Sequence, residues 1–71
     1  MKDITEKRLG AFAAGEALAK GRLSDVPSQS QYNWLVKALG RQPTARQRRA
    51  FKIGYGAWMR AAIRALERGP V

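Results

Sequence analysis

The chain has 71 residues, with 14 lysines and arginines against 5 aspartates and glutamates, and its formal net charge is +9. This length allows one small domain, over residues 1–71, and its core must be thin. The sequence contains no histidine and no cysteine, which excludes imidazole catalysis, thiol chemistry, disulfides and zinc-finger ligand sets. We therefore expect a binding protein, with no cofactor and no metal, rather than an enzyme.

The positive charge is concentrated in the last two thirds of the chain. Residues 1–26 carry five basic against four acidic residues, whereas residues 27–71 carry nine basic residues against Glu67 alone. Clustered arginine in a chain with a pI of about 11.3 is typical of nucleic-acid binders. The predicted partner is therefore nucleic acid (RNA or DNA), with an acidic protein surface as the alternative.

The apolar segments are short. None is long enough for a membrane span, and the first residues are too polar for a secretory signal. We therefore expect a cytoplasmic protein that has no membrane partner.

The sequence predicts an all-α fold, a compact bundle of three helices, with no convincing strand. The first helix is predicted over about residues 4–20, where Asp3 and Glu6 form a variant of the capping box. Gly21 suits the left-handed position after its last turn. The glycines and alanines of this helix let a neighbouring helix approach closely. Its apolar side is expected to consist of Leu9, Phe12, Ala19 and Leu23.

The second helix is predicted over about residues 29–39. Ser28 with Gln31 forms a capping box at its start, and Gly40 is its natural end. Trp34 lies off the apolar stripe of this helix, and three roles are open for it: packing in the core or against a second subunit, stacking on an exposed base, or contact with a protein partner. The stripe itself is formed by Tyr32, Leu35, Val36 and Leu39.

The third helix, the longest, is predicted over about residues 45–68, after a capping box formed by Thr44 and Gln47. Its expected core face consists of Phe51, Tyr55, Trp58, Ala62 and Leu66. At about 100° per residue, the roughly opposite face consists of Arg46, Arg49, Ile53, Gly56, Arg60 and Arg64.

The four arginines of that opposite face are expected to follow a phosphate backbone, because each guanidinium can donate two hydrogen bonds to one phosphate. Gly56 is expected to leave a gap between the two arginine pairs, where the helix backbone comes close to the ligand. A solvated polar face is the plain alternative, but such a face usually carries glutamates between its arginines. The sequence therefore favours a phosphate-binding face.

Positive charge is densest at the start of the third helix. The helix N-terminus adds a positive dipole and free N–H groups to these side chains. A phosphate is expected to be held there by Thr44, the N–H groups of residues 45–47, and Arg41 or Arg48. The basic residues of this segment are Arg41, Arg46, Arg48, Arg49 and Lys52.

Residues 35–44 resemble the first helix and turn of a DNA-binding helix-turn-helix, with Gly40 at the turn. Arginines stand where that motif carries apolar residues, so a plain helical hairpin is the simpler interpretation. Three functions stay open: a nucleic-acid binder that acts by occupancy as a regulator or inhibitor, a phage- or plasmid-type inhibitor of a host protein, and a dimeric helix-turn-helix regulator. The core is thin and Trp34 lies outside its predicted stripes. This favours a homodimer, in which a second chain covers the apolar surface.

Two stretches carry a family resemblance. Residues 47–55 have the order Gln-Arg, then an aromatic, then Gly followed by an aromatic, and residues 10–22 form a Gly- and Ala-rich helix that ends in Gly-Arg. Both resemble helices of the ribosome modulation factor family of small bacterial proteins, which has plasmid- and phage-borne relatives. Together they cover about a third of the chain. The Cys-Pro-Tyr usual between that family's helices is missing here, and the helix over 29–39 is additional. The resemblance implies binding to ribosomal RNA and silencing of translation.

Overall fold

Three helices make up the fold in a computed structural model that describes residues 2–69, with side chains from Glu6 onward. They are α1 (Lys2–Ala19), α2 (Gln29–Leu39) and α3 (Ala45–Arg68), and no strand occurs within that range. The predicted all-α fold is confirmed, with α3 the longest helix. The predicted bounds of α2 and α3 are also confirmed. α1 begins two residues earlier than predicted, so Asp3 lies inside the helix rather than at its cap.

Local hydrogen bonds fix the ends of α2 and α3. The backbone N–H of Ser28 donates to Oε1 of Gln31 at 2.9 Å. The N–H of Thr44 donates to Oε1 of Gln47 at 2.9 Å, and Oγ1 of Thr44 accepts from the Gln47 N–H at 3.2 Å. Gly40 ends α2 with a φ of 74°, in the left-handed region that glycine enters without steric cost.

α1 and α3 lie side by side and run in the same direction. Glu6 of α1 contacts Gln47 near the start of α3, and further along both helices Gly15 lies against Trp58. α2 packs against the side of this pair and runs in the opposite direction. Nε2 of Gln31, near its start, donates to the backbone oxygen at position 13 of α1 at 3.4 Å, and Ala38, near its end, lies beside Leu9 earlier in α1. The topology is therefore up, down, up, with the first and last helices as neighbours.

The crossing of α1 and α3 leaves no room for a methyl group, because a glycine stands on each side. A Cβ placed on Gly10 would fall on the backbone oxygen of Phe51 and lie 2.8 Å from the amide nitrogen of Tyr55. A Cβ placed on Gly54 would fall on the backbone oxygen of Lys7. The prediction that small residues of α1 admit a close neighbour is confirmed. The contact is continued by the buried alanines Ala13, Ala14 and Ala17.

Most of the apolar side predicted for α1 faces away from the core, and only Leu9 packs against it. Phe12 is 62% exposed, Ala19 and Leu23 are exposed, and Leu9 is half-buried. The physical reason is the close crossing with α3: it accepts only glycine and alanine, so the larger apolar side chains of α1 lie outside it. The prediction is therefore wrong for Phe12, Ala19 and Leu23, and α1 has an apolar outer surface.

The buried face of α3 agrees with the predicted one at Phe51 and Tyr55, which are fully buried, and differs further along the helix. Trp58 is 39% exposed and Leu66 is 58% exposed, so both predictions are wrong. Gly15 lies level with Trp58 and α1 ends four residues later. The last turns of α3 therefore extend past α1, and Leu66 has no part of α1 to pack against. The fully buried side chains of α3 are Phe51, Tyr55 and Met59.

α2 contributes one fully buried side chain, Leu35, to the core. Trp34 is half-buried, and its ring contacts Phe12 in a tilted arrangement, with the centroids 5.4 Å apart and the ring planes at 40°. Among the roles open for Trp34, packing within the chain is therefore the one that the structure shows. The rest of the predicted stripe of α2 is half-buried: Tyr32, Val36 and Leu39.

Candidate nucleic-acid interface

The outer surface of α3 carries four exposed arginines, which we call the basic face: Arg46, Arg49, Arg60 and Arg64. Successive residues of a helix rotate by about 100°, so these four lie within about 60° of one another. At about 1.5 Å per residue, the row from Arg46 to Arg64 is about 27 Å long. Ile53, itself 50% exposed, lies in the middle of the row. The four arginines thus lie along one side of a single helix.

Gly56 does not leave the predicted gap in the basic face. It is buried, and a Cβ placed on it would lie 3.3 Å from the backbone oxygen of Asp25 in the turn between α1 and α2. Pro27, in the same turn, is buried as well. The turn therefore covers the helix backbone where a phosphate was expected, and the prediction for Gly56 is wrong.

Arg60 forms the one ion pair found among the described residues. Its Nη1 lies 3.3 Å from Oδ2 of Asp25, and the two side chains are 59% and 46% exposed. An exposed pair of this kind contributes about 0–1 kcal/mol to stability. The Arg60 guanidinium therefore stays available to a competing anion.

Arg46 and Arg49 border a cleft of about 300 Å³ between α1 and α3, in which Lys7 supplies a third cation. Glu6 also lines this cleft but is only 4% exposed, and its Oε2 accepts a hydrogen bond from Nε2 of Gln47 at 3.2 Å. Three cations against one buried carboxylate make the cleft positive. Sequence reasoning missed Lys7 and Glu6 because only the tertiary crossing of α1 and α3 brings them to this place.

The phosphate site predicted at the start of α3 is largely occupied by hydrogen bonds within the chain. Thr44 and Gln47 cap each other, and Nη1 of Arg41 donates to Oε1 of Gln47 at 3.2 Å. The guanidinium of Arg48 lies 4.6 Å from the centre of the Tyr32 ring, a cation–π contact that braces α3 against α2. The structure thus reduces the predicted site to the N–H groups of residues 45 and 46.

Lys52 is exposed on α3 but lies about 90° from the middle of the basic face. It therefore belongs to a different side of the helix. Arg46, Arg49, Arg60 and Arg64 are the sequence-predicted site residues that the structure brings onto one surface, and Lys7 joins them from α1.

No helix between residues 2 and 69 is both long and apolar enough to cross a bilayer. Comparisons with protein-family models, with curated proteins and with solved structures gave no match. The basic face and the cleft beside it are therefore the features from which a function can be inferred.

Proposed function

We propose that this chain binds nucleic acid through the basic face and the adjoining cleft, and that it acts by occupancy rather than by catalysis. The observation that carries the proposal is the row of four exposed arginines, about 27 Å long, on one side of a rigid helix. A DNA duplex presents about one phosphate charge per 1.7 Å of its axis. Several phosphates of a duplex therefore lie within the span of the four guanidiniums.

The spacing of the arginines favours a double-stranded or folded target. They form two pairs, Arg46 with Arg49 and Arg60 with Arg64, and the inner members are about 16 Å apart along the helix. The major groove of B-DNA is about 12 Å wide. A helix laid across a groove brings one pair to the phosphates on each side, with Ile53 over the groove itself.

Structured RNA is the second form of nucleic acid to test. The resemblance of residues 47–55 to the ribosome modulation factor family implies ribosomal RNA as a target, and this remains a prediction. Phosphate contacts by arginine do not depend on the sugar, so the same basic face serves either polymer. The two polymers therefore need to be compared in one experiment.

The proposal is tested by titrating duplex DNA and structured RNA at several salt concentrations. Four phosphate contacts on duplex DNA predict a log–log slope of affinity against salt of roughly −3 to −4. Arg49→Ala is expected to reduce the size of that slope by about 1 and to weaken all sequences alike, because phosphate contacts do not read bases. Lys20→Ala removes an exposed cation outside the basic face, and this matched control should leave the slope unchanged.

This titration, followed by capture of partners from lysate, separates the rival functions. No measurable binding to either polymer at physiological salt would contradict the proposal. A partner captured from lysate that survives nuclease treatment, and that is lost in Arg49→Ala, would then indicate an inhibitor docked on an acidic protein surface. Strong preference for one DNA sequence would instead indicate base reading by a helix-turn-helix regulator.

A further inference from the structure

The outer surface of α1 carries an aromatic cluster that the proposed function does not use. Phe12 lies at the centre of this cluster and is 62% exposed. Trp58 of α3 borders the same groove as Phe12, and the ring of Trp34 of α2 contacts Phe12 at a tilt of 40°. Gly15 and Ala19 keep this groove open because their side chains are absent or small. We call these five residues the aromatic face.

The charges around the aromatic face differ from those of the basic face. Arg8 lies one turn before Phe12 and Glu16 one turn after it, and both are exposed. At about 100° per residue, each lies within about 40° of Phe12. Arg8 and Glu16 therefore place one charge of each sign symmetrically about the central Phe12, while Lys20 and Lys37 lie at the Trp34 edge of the face.

We infer that the aromatic face pairs with the same face of a second copy of this chain, with the two α1 helices running in opposite directions. A twofold axis makes every contact reciprocal. With Phe12 close to that axis, Arg8 of each copy lies opposite Glu16 of the other. One surface thus supplies two ion pairs and covers the exposed aromatic rings of both chains.

A second copy fits this face better than other partners do. A polyanion would bring a phosphate close to the exposed carboxylate of Glu16, next to the central Phe12, and the arginine row lies on another helix. A strongly acidic or basic protein would leave one of the two charges facing a like charge. The inferred dimer goes beyond the proposed function and leaves the basic face of each copy open to nucleic acid.

Sedimentation equilibrium over a range of protein concentrations tests the inference. The wild type is expected to have twice the 7.9 kDa mass of the chain and to dissociate on dilution. Phe12→Glu is expected to have the single-chain mass at the same concentrations, with an unchanged helical circular dichroism spectrum because Phe12 is exposed in the monomer. Leu66→Glu replaces a side chain that is 58% exposed beyond the aromatic face, and this control is expected to stay dimeric.

Charge reversal tests the antiparallel register. Arg8→Glu and Glu16→Arg each place like charges at two symmetry-related contacts, so each should raise the dimer dissociation constant about tenfold. The double variant restores both pairs without changing the net charge, and it is expected to recover the wild-type constant. Failure of this rescue would overturn the register.

Two further results would overturn the inference: a wild type that has the single-chain mass at every concentration, and a dimer that Phe12→Glu does not weaken. The affinity of Phe12→Glu for nucleic acid, measured at several salt concentrations, tests the proposed function separately from the dimer. An unchanged salt slope in the monomeric variant supports independent surfaces. Weaker nucleic-acid binding by Phe12→Glu, together with a wild type that has the single-chain mass at every concentration, would assign the aromatic face to the polymer and overturn the dimer.

Discussion

Replacing Gly10 with alanine is expected to destabilise the protein, although alanine is the better helix former. Inside a helix the exchange by itself gains about 0.8–1 kcal/mol. Here the added methyl group would fall on the backbone oxygen of Phe51 and lie 2.8 Å from the amide nitrogen of Tyr55. Backbone atoms of a helix cannot rotate aside as a side chain can, so α1 and α3 must move apart. Overpacking costs about 1–3 kcal/mol, and the rigid obstruction places this case at the upper end.

The net effect of Gly10→Ala is a loss of about 2 kcal/mol in the free energy of unfolding, since the steric cost exceeds the gain in helix propensity. For a domain of this size the loss corresponds to a melting temperature about 8–16 °C lower. Thermal and urea unfolding followed by far-UV circular dichroism measure it. Gly15→Ala in the same helix is the matched control, because its Cβ would lie 3.7 Å from Cζ2 of Trp58, an ordinary contact. This variant is expected to be more stable than the wild type by up to about 1 kcal/mol.

A Gly10→Ala protein that melts at or above the wild-type temperature would refute the close crossing. Equal losses in Gly10→Ala and Gly15→Ala would show that α1 responds to any added methyl group, which would also refute it. Gly54→Ala tests the other side of the same contact, because its Cβ would fall on the backbone oxygen of Lys7. It is expected to destabilise the protein as Gly10→Ala does.

Three further substitutions test other parts of the structure. Leu35→Ala removes the fully buried side chain of α2 and should cost about 2–5 kcal/mol in urea unfolding; a near-zero loss would mean that this residue does not anchor α2. Thr44→Ala removes the cap of α3 and should cost about 1 kcal/mol in the same assay, whereas Thr44→Ser should retain most of it. Asp25→Asn should change stability by less than about 1 kcal/mol and strengthen binding to nucleic acid, because it frees Arg60 and removes a negative charge. Weaker binding by Asp25→Asn would exclude Arg60 from the interface.

The sequence predicted the bounds of α2 and α3 because their signals are local. Thr44 and Gln47 define the start of α3 through hydrogen bonds within three residues. Gly40 ends α2 in the left-handed conformation, which needs no tertiary partner. The buried side of α3 depends on where its neighbours pack, and periodicity fits Trp58 and Met59 about equally well. The structure buries Met59, so this choice is made by tertiary packing and not by the pattern.

The buried side of α1 was not predicted correctly, for a different physical reason. Sequence reasoning assigns burial to the largest apolar side chains, which in α1 points to Phe12. At the crossing with α3 the smallest residues are buried instead, because α3 contacts Gly10 so closely that no side chain fits there. The same crossing places Lys7 in the cleft beside Arg49, and no local spacing relates those two residues. The four arginines of the basic face, in contrast, follow from the helical period alone.

The parallel packing of α1 and α3 also determines the order in which the chain can fold. Helices joined as a hairpin can pair as soon as the second one is made, but α1 and α3 are separated by all of α2. Glu6 and Gln47, which contact each other, are 41 residues apart in the sequence. Closing a loop of that length costs conformational entropy before any native contact offsets it.

During synthesis the N-terminal part of a chain emerges first, but here α1 has no partner for its glycine-lined side until α3 has left the ribosome. Folding of the core is therefore expected only after α3 has emerged. Until that moment the nascent chain exposes both sides of α1, including Phe12, to chaperones.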